Sequence, residues 1–178
     1  MSTIYGTEGE LKMRPSNCHG FPIPLIYGEV KICVDLDSPQ CTSFFNGNTS
    51  NPRKRADCLI YFKDDGGAVV EVKRTYMKKA KYQIEDTIKA MKQNWDKFVS
   101  AMGLSGDTPF PDKIILCIEN GIGNDKRGYW IDKNNGNILK LKTKKGGNTN
   151  STFKCEGLPI IVYDKAEINR MNKGWSVH

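Results

Sequence analysis

The chain has 178 residues, 38% hydrophobic and 26% charged, with a formal net charge of +7. That length suits one hydrophobic core rather than two full domains, and the composition excludes a disordered or fibrous chain. No apolar stretch approaches the roughly 18 residues of a membrane-spanning helix, and the opening MSTIYGTEGELK lacks the basic-then-apolar order of a signal peptide. A cytoplasmic protein with no membrane association is therefore expected.

Residues 1–28 carry Pro15, Pro22 and Pro24, which predict loops and one short helix near Glu8 to Met13. EVKICVD at 29–35 alternates well enough to predict a first strand, with Val30, Ile32 and Val34 on one side. The stretch 36–55 is rich in Pro, Asn, Ser and Gly and predicts a long loop with little to bury beyond Phe44 and Phe45. The runs DCLIYFK at 57–63 and AVVEVK at 68–73 flank Asp64-Asp65-Gly66-Gly67, which predicts a tight hairpin. Ala80, Ile84, Ile88, Met91, Trp95, Phe98, Val99 and Met102 recur at steps of three and four, predicting one amphipathic helix from about Lys78 to Met102 that Gly103 stops.

DKIILCIE at 112–119 predicts a strand buried on both faces and parallel to an earlier one across that helix. GYWIDKNNGNILKLKTKK predicts a second hairpin turning at Asn134 to Gly136, LPIIVYD a further strand, and Ala166 to Met171 a terminal helix. Together these elements predict a single α/β domain over 1–178 with a central mixed sheet flanked by helices. Its core spans about 29–119, and about 120–178 form a C-terminal extension.

Of the six cysteines, Cys33, Cys58 and Cys117 lie in strand-like runs and read as small buried hydrophobes. Cys18 and His19 with Cys33 and Cys41 do not make a zinc site by spacing, since no CxxC pair is present. The positive charge gathers in Arg53-Lys54-Arg55, in Lys73-Arg74 with Lys78, Lys79 and Lys81, and in Lys140, Lys142, Lys144 and Lys145. Clusters of this kind attract phosphates and release their counterions. Tyr129 and Trp130, beside Lys126 and Arg127, are of a type that stacks on unpaired bases or fills a core.

The chemistry concentrates on the first hairpin. Side chains two apart on a strand share a face, so Glu71 and Lys73 project together while Val70 and Val72 project into the opposite layer. A turn closing at 64–67 opposes residues whose numbers sum to about 131 and brings Asp57 across from the end of the strand carrying Lys73. Two carboxylates and an ammonium at one point can hold a hard cation, Mg²⁺ or Mn²⁺, through oxygen. Such an ion acidifies water and offsets charge on a phosphorane-like transition state, the outline of phosphodiester hydrolysis.

On these residues, RADCLIYFKDDGGAVVEVK resembles the PD-(D/E)XK nuclease superfamily, with Ala56 where the proline of the motif stands. The resemblance implies a restriction-endonuclease-like core, metal binding by Asp57 and Glu71, and water activation by Lys73. Gln83 is similar to the glutamine that RecB-like and Cas4-like branches place near metal and DNA. An upstream acid completes the site in Holliday-junction resolvases; Glu10, in a plausible helical turn, is preferred over Glu8 and Glu29. His19 resembles the metal-ligating histidine of viral cap-snatching endonucleases. Arg55, Arg74, Lys78, Lys79 and Lys81 are the expected nucleic-acid contacts. The family implies DNA rather than RNA as substrate, structure-selective cleavage, and a homodimer. A nucleic-acid-binding protein that keeps the scaffold without turnover and an RNA endonuclease are the alternatives.

Overall fold

The structure is a computed structural model that describes residues 17–73, 80–118, 129–131, 138–140 and 154–173. In chain order these form β1 (Asn17–Cys18), β2 (Phe21–Pro22), β3 (Val30–Asp35), α1 (Pro39–Phe44), β4 (Cys58–Phe62), β5 (Gly67–Lys73), α2 (Ala80–Gln93) and α3 (Trp95–Ala101). There follow β6 (Lys113–Ile118), β7 (Tyr129–Ile131), β8 (Ile138–Lys140), β9 (Lys154–Cys155), β10 (Leu158–Asp164) and α4 (Lys165–Lys173). Among the described residues no helix is long and apolar enough to cross a membrane. The helix expected near Glu8 to Met13 and the turn at Asn134 to Gly136 lie outside the described residues.

Six strands make one mixed sheet in the order β3-β4-β5-β6-β10-β9. The first three form an antiparallel meander, β6 runs parallel to β5 and to β10, and β9 closes the far edge antiparallel to β10. The protein is thus α/β, with a mixed sheet flanked by helices. The sheet does not end with the expected core at 119, because β9, β10 and α4 come from the stretch expected as an extension.

Alternation along each strand feeds two apolar layers. Val34, Leu59, Val69, Ile114, Leu116 and Ile160 face α2 and α3, where Ile84, Ile88, Met91 and Phe98 meet them. Cys33, Cys58, Ile60, Val70, Ile115 and Tyr163 face the other way, against Phe21, Ile23 and Ile168 of α4. Strands of the sheet's centre read as unbroken apolar runs because both of their faces are covered.

Three expectations change in detail. The stretch 36–55 is not open loop: Ser38 caps α1 by accepting from the Cys41 N–H at 3.4 Å, and 3₁₀ turns follow at Gly47–Ser50 and Pro52–Lys54. It buries Leu36, Cys41, Phe45 and Arg55 as well. The long helix is two, since Asn94 leaves helical geometry (φ −139°, ψ 46°) and still donates to the Met91 carbonyl. The break lets Trp95 stack on Phe98 and donate from Nε1 to the Thr108 carbonyl at 3.0 Å. Gly103 ends α3 as expected, at φ +66°, with the Leu104 N–H returning to the Val99 carbonyl.

The third change is register. Cys58 opposes Val70 and Tyr61 opposes Gly67, so opposed numbers sum to 128 rather than about 131. The loop is shorter than expected, because the Phe62 N–H already bonds the Gly66 carbonyl at 2.9 Å with Gly66 at φ +58°. Cross-strand partners share a face in any register, but an even sum sets odd positions against odd ones, so Asp57 shares the face of Glu71 and Lys73 and moves from the end of β5 to a position opposite Glu71.

Thr87 ties α2 to this region: its buried Oγ1 accepts from the Ala56 N–H at 2.8 Å, one residue before Asp57. Thr87→Val keeps the shape but strands that N–H, and we expect a loss of about 1–3 kcal/mol in denaturant unfolding. Thr87→Ser should recover most of it.

Candidate active site

Asp57 is held by backbone on both sides, donating its N–H to the Val70 carbonyl at 3.1 Å and accepting at its own carbonyl from Leu36 at 3.0 Å. Its Oδ2 accepts from the Val72 N–H at 2.7 Å, which fixes the carboxylate against β5. Leu59 and Val69 lie in the α2-facing layer, and alternation puts Asp57, Glu71 and Lys73 on that same face, past the end of the apolar contacts. Val70 and Val72 point into the opposite layer, as expected.

Glu71 is fully buried, at 0% exposure. Lys73 Nζ lies 2.6 Å from its Oε1 as an ion pair, and Oε2 has no hydrogen-bond partner among the described residues. Burial, with the charge of Asp57 added, pushes the Glu71 carboxyl up to about 8 against an ordinary 4.5, although Lys73 pulls the other way. Burial also raises Asp57, opposed by the Val72 N–H, His19 and Lys73.

A buried carboxyl with an unsatisfied oxygen beside a second carboxylate is costly as it stands. Such a pair suits a hard cation that takes two protein oxygens and keeps several waters. The donor set therefore fits Mg²⁺ or Mn²⁺, with Asp57 and Glu71 as the residues that would hold it.

Next to this pair the structure places His19, which the resemblance had raised, together with Asp35 and Asp37, which the sequence reading missed. His19 sits in the β1–β2 turn at φ +50°, its Nε2 3.2 Å from Asp35 Oδ1 and 3.7 Å from Asp37 Oδ2. The hydrogen bond to Asp35, with the nearby charges of Asp57 and Asp37, pushes the imidazole up to about 9 despite its burial. Desolvation, then the charge of Asp57, raises Asp37 to about 6. At neutral pH His19 is a cation facing three carboxylates. Among the described residues, ligand atoms come within 4.8 Å of one another in two trios, His19–Asp35–Asp37 and Cys18–His19–Cys58. The signal for Asp35 was its place at the end of β3, but only the observed register sets it opposite Cys58, beside Asp57.

The remaining expected residues are scattered. Gln83 does lie by the site's loop, but its Nε2 donates to the carbonyls of Arg53 at 2.8 Å and Arg55 at 3.3 Å, so it anchors 53–55 to α2. Arg55 is a correction: it is fully buried, donating to the Thr49 carbonyl and to Thr42 Oγ1 with its guanidinium 5.0 Å from the Phe45 ring centroid. A phosphate has no access to it. Lys81 is half-buried in the first turn of α2, and Glu29 is exposed at the foot of β3. Glu8, Glu10, Arg74, Lys78, Lys79, Lys126 and Arg127 lie outside the described residues.

Cysteine also departs from expectation. Cys33 and Cys117 are free and buried as read, but Cys58 is disulfide-bonded to Cys18 across 40 residues. Comparison with protein-family models, curated proteins and solved structures finds no match to this chain.

Proposed function

We propose that the chain is a divalent-metal-dependent endonuclease of the PD-(D/E)XK type, hydrolysing phosphodiester bonds in nucleic acid, with DNA favoured by the resemblance of its motif. The observation that carries this reading is Glu71: fully buried, one oxygen unpartnered, opposite Asp57 and 2.6 Å from the Lys73 amine. A structural salt bridge has no use for the second carboxylate or for the desolvation that burial imposes. Mg²⁺ or Mn²⁺, when bound, supplies an acidified water and compensation for developing phosphate charge.

The chain's own residues do the rest. Asp57, fixed by the Val72 N–H, and Glu71, fixed by burial, present oxygens from two adjacent strands with little freedom to lose. Lys73 places an ammonium where an attacking water or a phosphate oxygen is steadied. The net charge of +7 draws a polyanion to the molecule.

The test is incubation with labelled single-stranded, duplex and branched DNA and with RNA, in Mg²⁺, Mn²⁺ or chelator, beside Lys73→Met and Glu71→Ala. We expect metal-dependent cleavage that falls by roughly 10²–10³-fold in Lys73→Met, the range for losing one aligned electrostatic contact. Cleavage that survives chelation or Glu71→Ala would remove the proposal. Binding without turnover in every metal would instead favour a non-catalytic nucleic-acid-binding protein on this scaffold.

A further inference from the structure

Beside the nuclease pair lies a second constellation of a different chemical kind. Cys18 and Cys58 are 1% and 2% exposed, and their sulfurs lie within 4.8 Å of a ring nitrogen of the intervening turn's His19. We propose that with its thiols reduced the chain binds one zinc ion through Cys18, His19 and Cys58, and that this ion replaces the disulfide as the tie between the β1–β2 turn and the start of β4.

Three observations carry this. Two thiolates and an imidazole are three of the four ligands of a tetrahedral zinc site, which leaves the fourth position to a water. Asp35 accepts a hydrogen bond from His19 at 3.2 Å, the outer carboxylate that zinc-ligating histidines generally use to fix their ring. His19 itself holds a left-handed backbone, φ +50°, which an L-residue other than Asn or Gly adopts at a cost. In that turn a ring nitrogen stands within 4.8 Å of both sulfurs.

In a reducing compartment a disulfide of this kind does not persist, and two buried thiols beside a histidine are left to be satisfied. The chemistry balances simply. A dithiol or phosphine reductant delivers two electrons and opens the S–S bond to two thiols. Zinc then takes both sulfurs as thiolates and the imidazole as its neutral form, and their protons leave to solvent. A small-molecule disulfide takes up the two electrons by thiol–disulfide exchange, leaves as two thiols, re-forms the Cys18–Cys58 bond and expels the ion.

This inference does not depend on the nuclease reading, and the experiment keeps them apart. The full chain is purified anaerobically with a phosphine reductant, then titrated with Co²⁺ and afterwards with Zn²⁺. A thiolate-to-cobalt charge-transfer band that saturates at one thiolate-bound Co²⁺ per chain and that Zn²⁺ abolishes is expected, with no band in the oxidised protein; an ion on the carboxylates of Asp57 and Glu71 adds nothing to that band. His19→Ala should develop that band with at least about tenfold weaker affinity, while Cys33→Ser and Glu71→Gln should develop the same thiolate band as the wild type. A reduced wild type without the band overturns the proposal, as does a band that survives intact in His19→Ala or disappears in Cys33→Ser. His19→Ala retains both thiols and the disulfide, so its result stands even where a cysteine variant fails to fold.

Discussion

The Glu71→Gln variant should unfold at a higher temperature than the wild type in metal-free buffer at pH 8, by roughly 4–8 °C, and should lose cleavage by roughly 10²–10³-fold or more. The two effects share one cause. Glu71 is fully buried and its carboxyl is raised to about 8 from 4.5, so the folded chain keeps a proton that the unfolded chain has already released. Between those two values the unfolded state binds fewer protons, and stability falls as pH rises. At about 1.4 kcal/mol per unit the full shift bounds the effect near 5 kcal/mol. Relaxation around the charge takes back part of that, and about 2 kcal/mol is expected in practice. Glutamine keeps the volume and never ionises.

Asp37 and His19 act with the same sign. Asp37 is raised from 3.8 to about 6 and His19 from 6.5 to about 9, so each contributes stability that is lost as pH climbs through its own window. Metal-free wild type should therefore be most stable on the acid side and weaken steadily toward pH 9. Mn²⁺ or Mg²⁺ should reverse the trend above pH 7, because an ion bound only by the folded state adds stability by mass action, about 2.7 kcal/mol at a hundred times its Kd. A thermal-shift series across pH, with ion and with chelator, reads both. A metal-free melting temperature that rises between pH 5 and 8 would contradict the burial argument for Glu71.

Asp57→Asn is the second large effect and has a different signature. Asparagine still accepts from the Val72 N–H through its amide oxygen, the bond Asp57 Oδ2 makes at 2.7 Å, so the fold should survive with a change below about 1 kcal/mol. The charge is gone. Cleavage should fall by roughly 10²–10³-fold and Mn²⁺ affinity by at least about tenfold. Since Asp57 is the first charge that raises Glu71, its removal lets Glu71 ionise more easily, so the metal-free loss of stability with rising pH should become smaller and be complete at a lower pH than in the wild type. A variant that loses activity with its pH–stability curve unchanged would show that the two carboxyls do not feel each other.

Much of this was legible in the chain. An alternating run marked β3, unbroken apolar runs marked β4, β5, β6 and β10, and the three-and-four stripe marked the α2–α3 stretch, because burial on one or both faces dictates those patterns. Glu71 and Lys73 were legible as a pair for the same reason: two charges on one face of an otherwise apolar strand have few structural uses. What escaped was set by long-range pairing. The three-residue difference in hairpin register turned on where Phe62 bonds Gly66. Asp35 and Asp37 join the site only through β3 pairing with β4, and Cys18 finds Cys58 across 40 residues. Arg55 looked like surface charge among Arg53 and Lys54, whereas Phe45 and the Thr49 carbonyl give it a buried seat. The break at Asn94 was hidden because α2 and α3 keep one continuous apolar stripe through it.

The account turns on where a divalent ion sits, and anomalous diffraction from crystals grown with Mn²⁺ measures that directly. We expect a peak about 2.1 Å from a carboxylate oxygen of Asp57 and of Glu71, with the Lys73 amine on its flank. A peak at His19, Asp35 and Asp37 with none at Glu71, or Mn²⁺ absent from both, would contradict it.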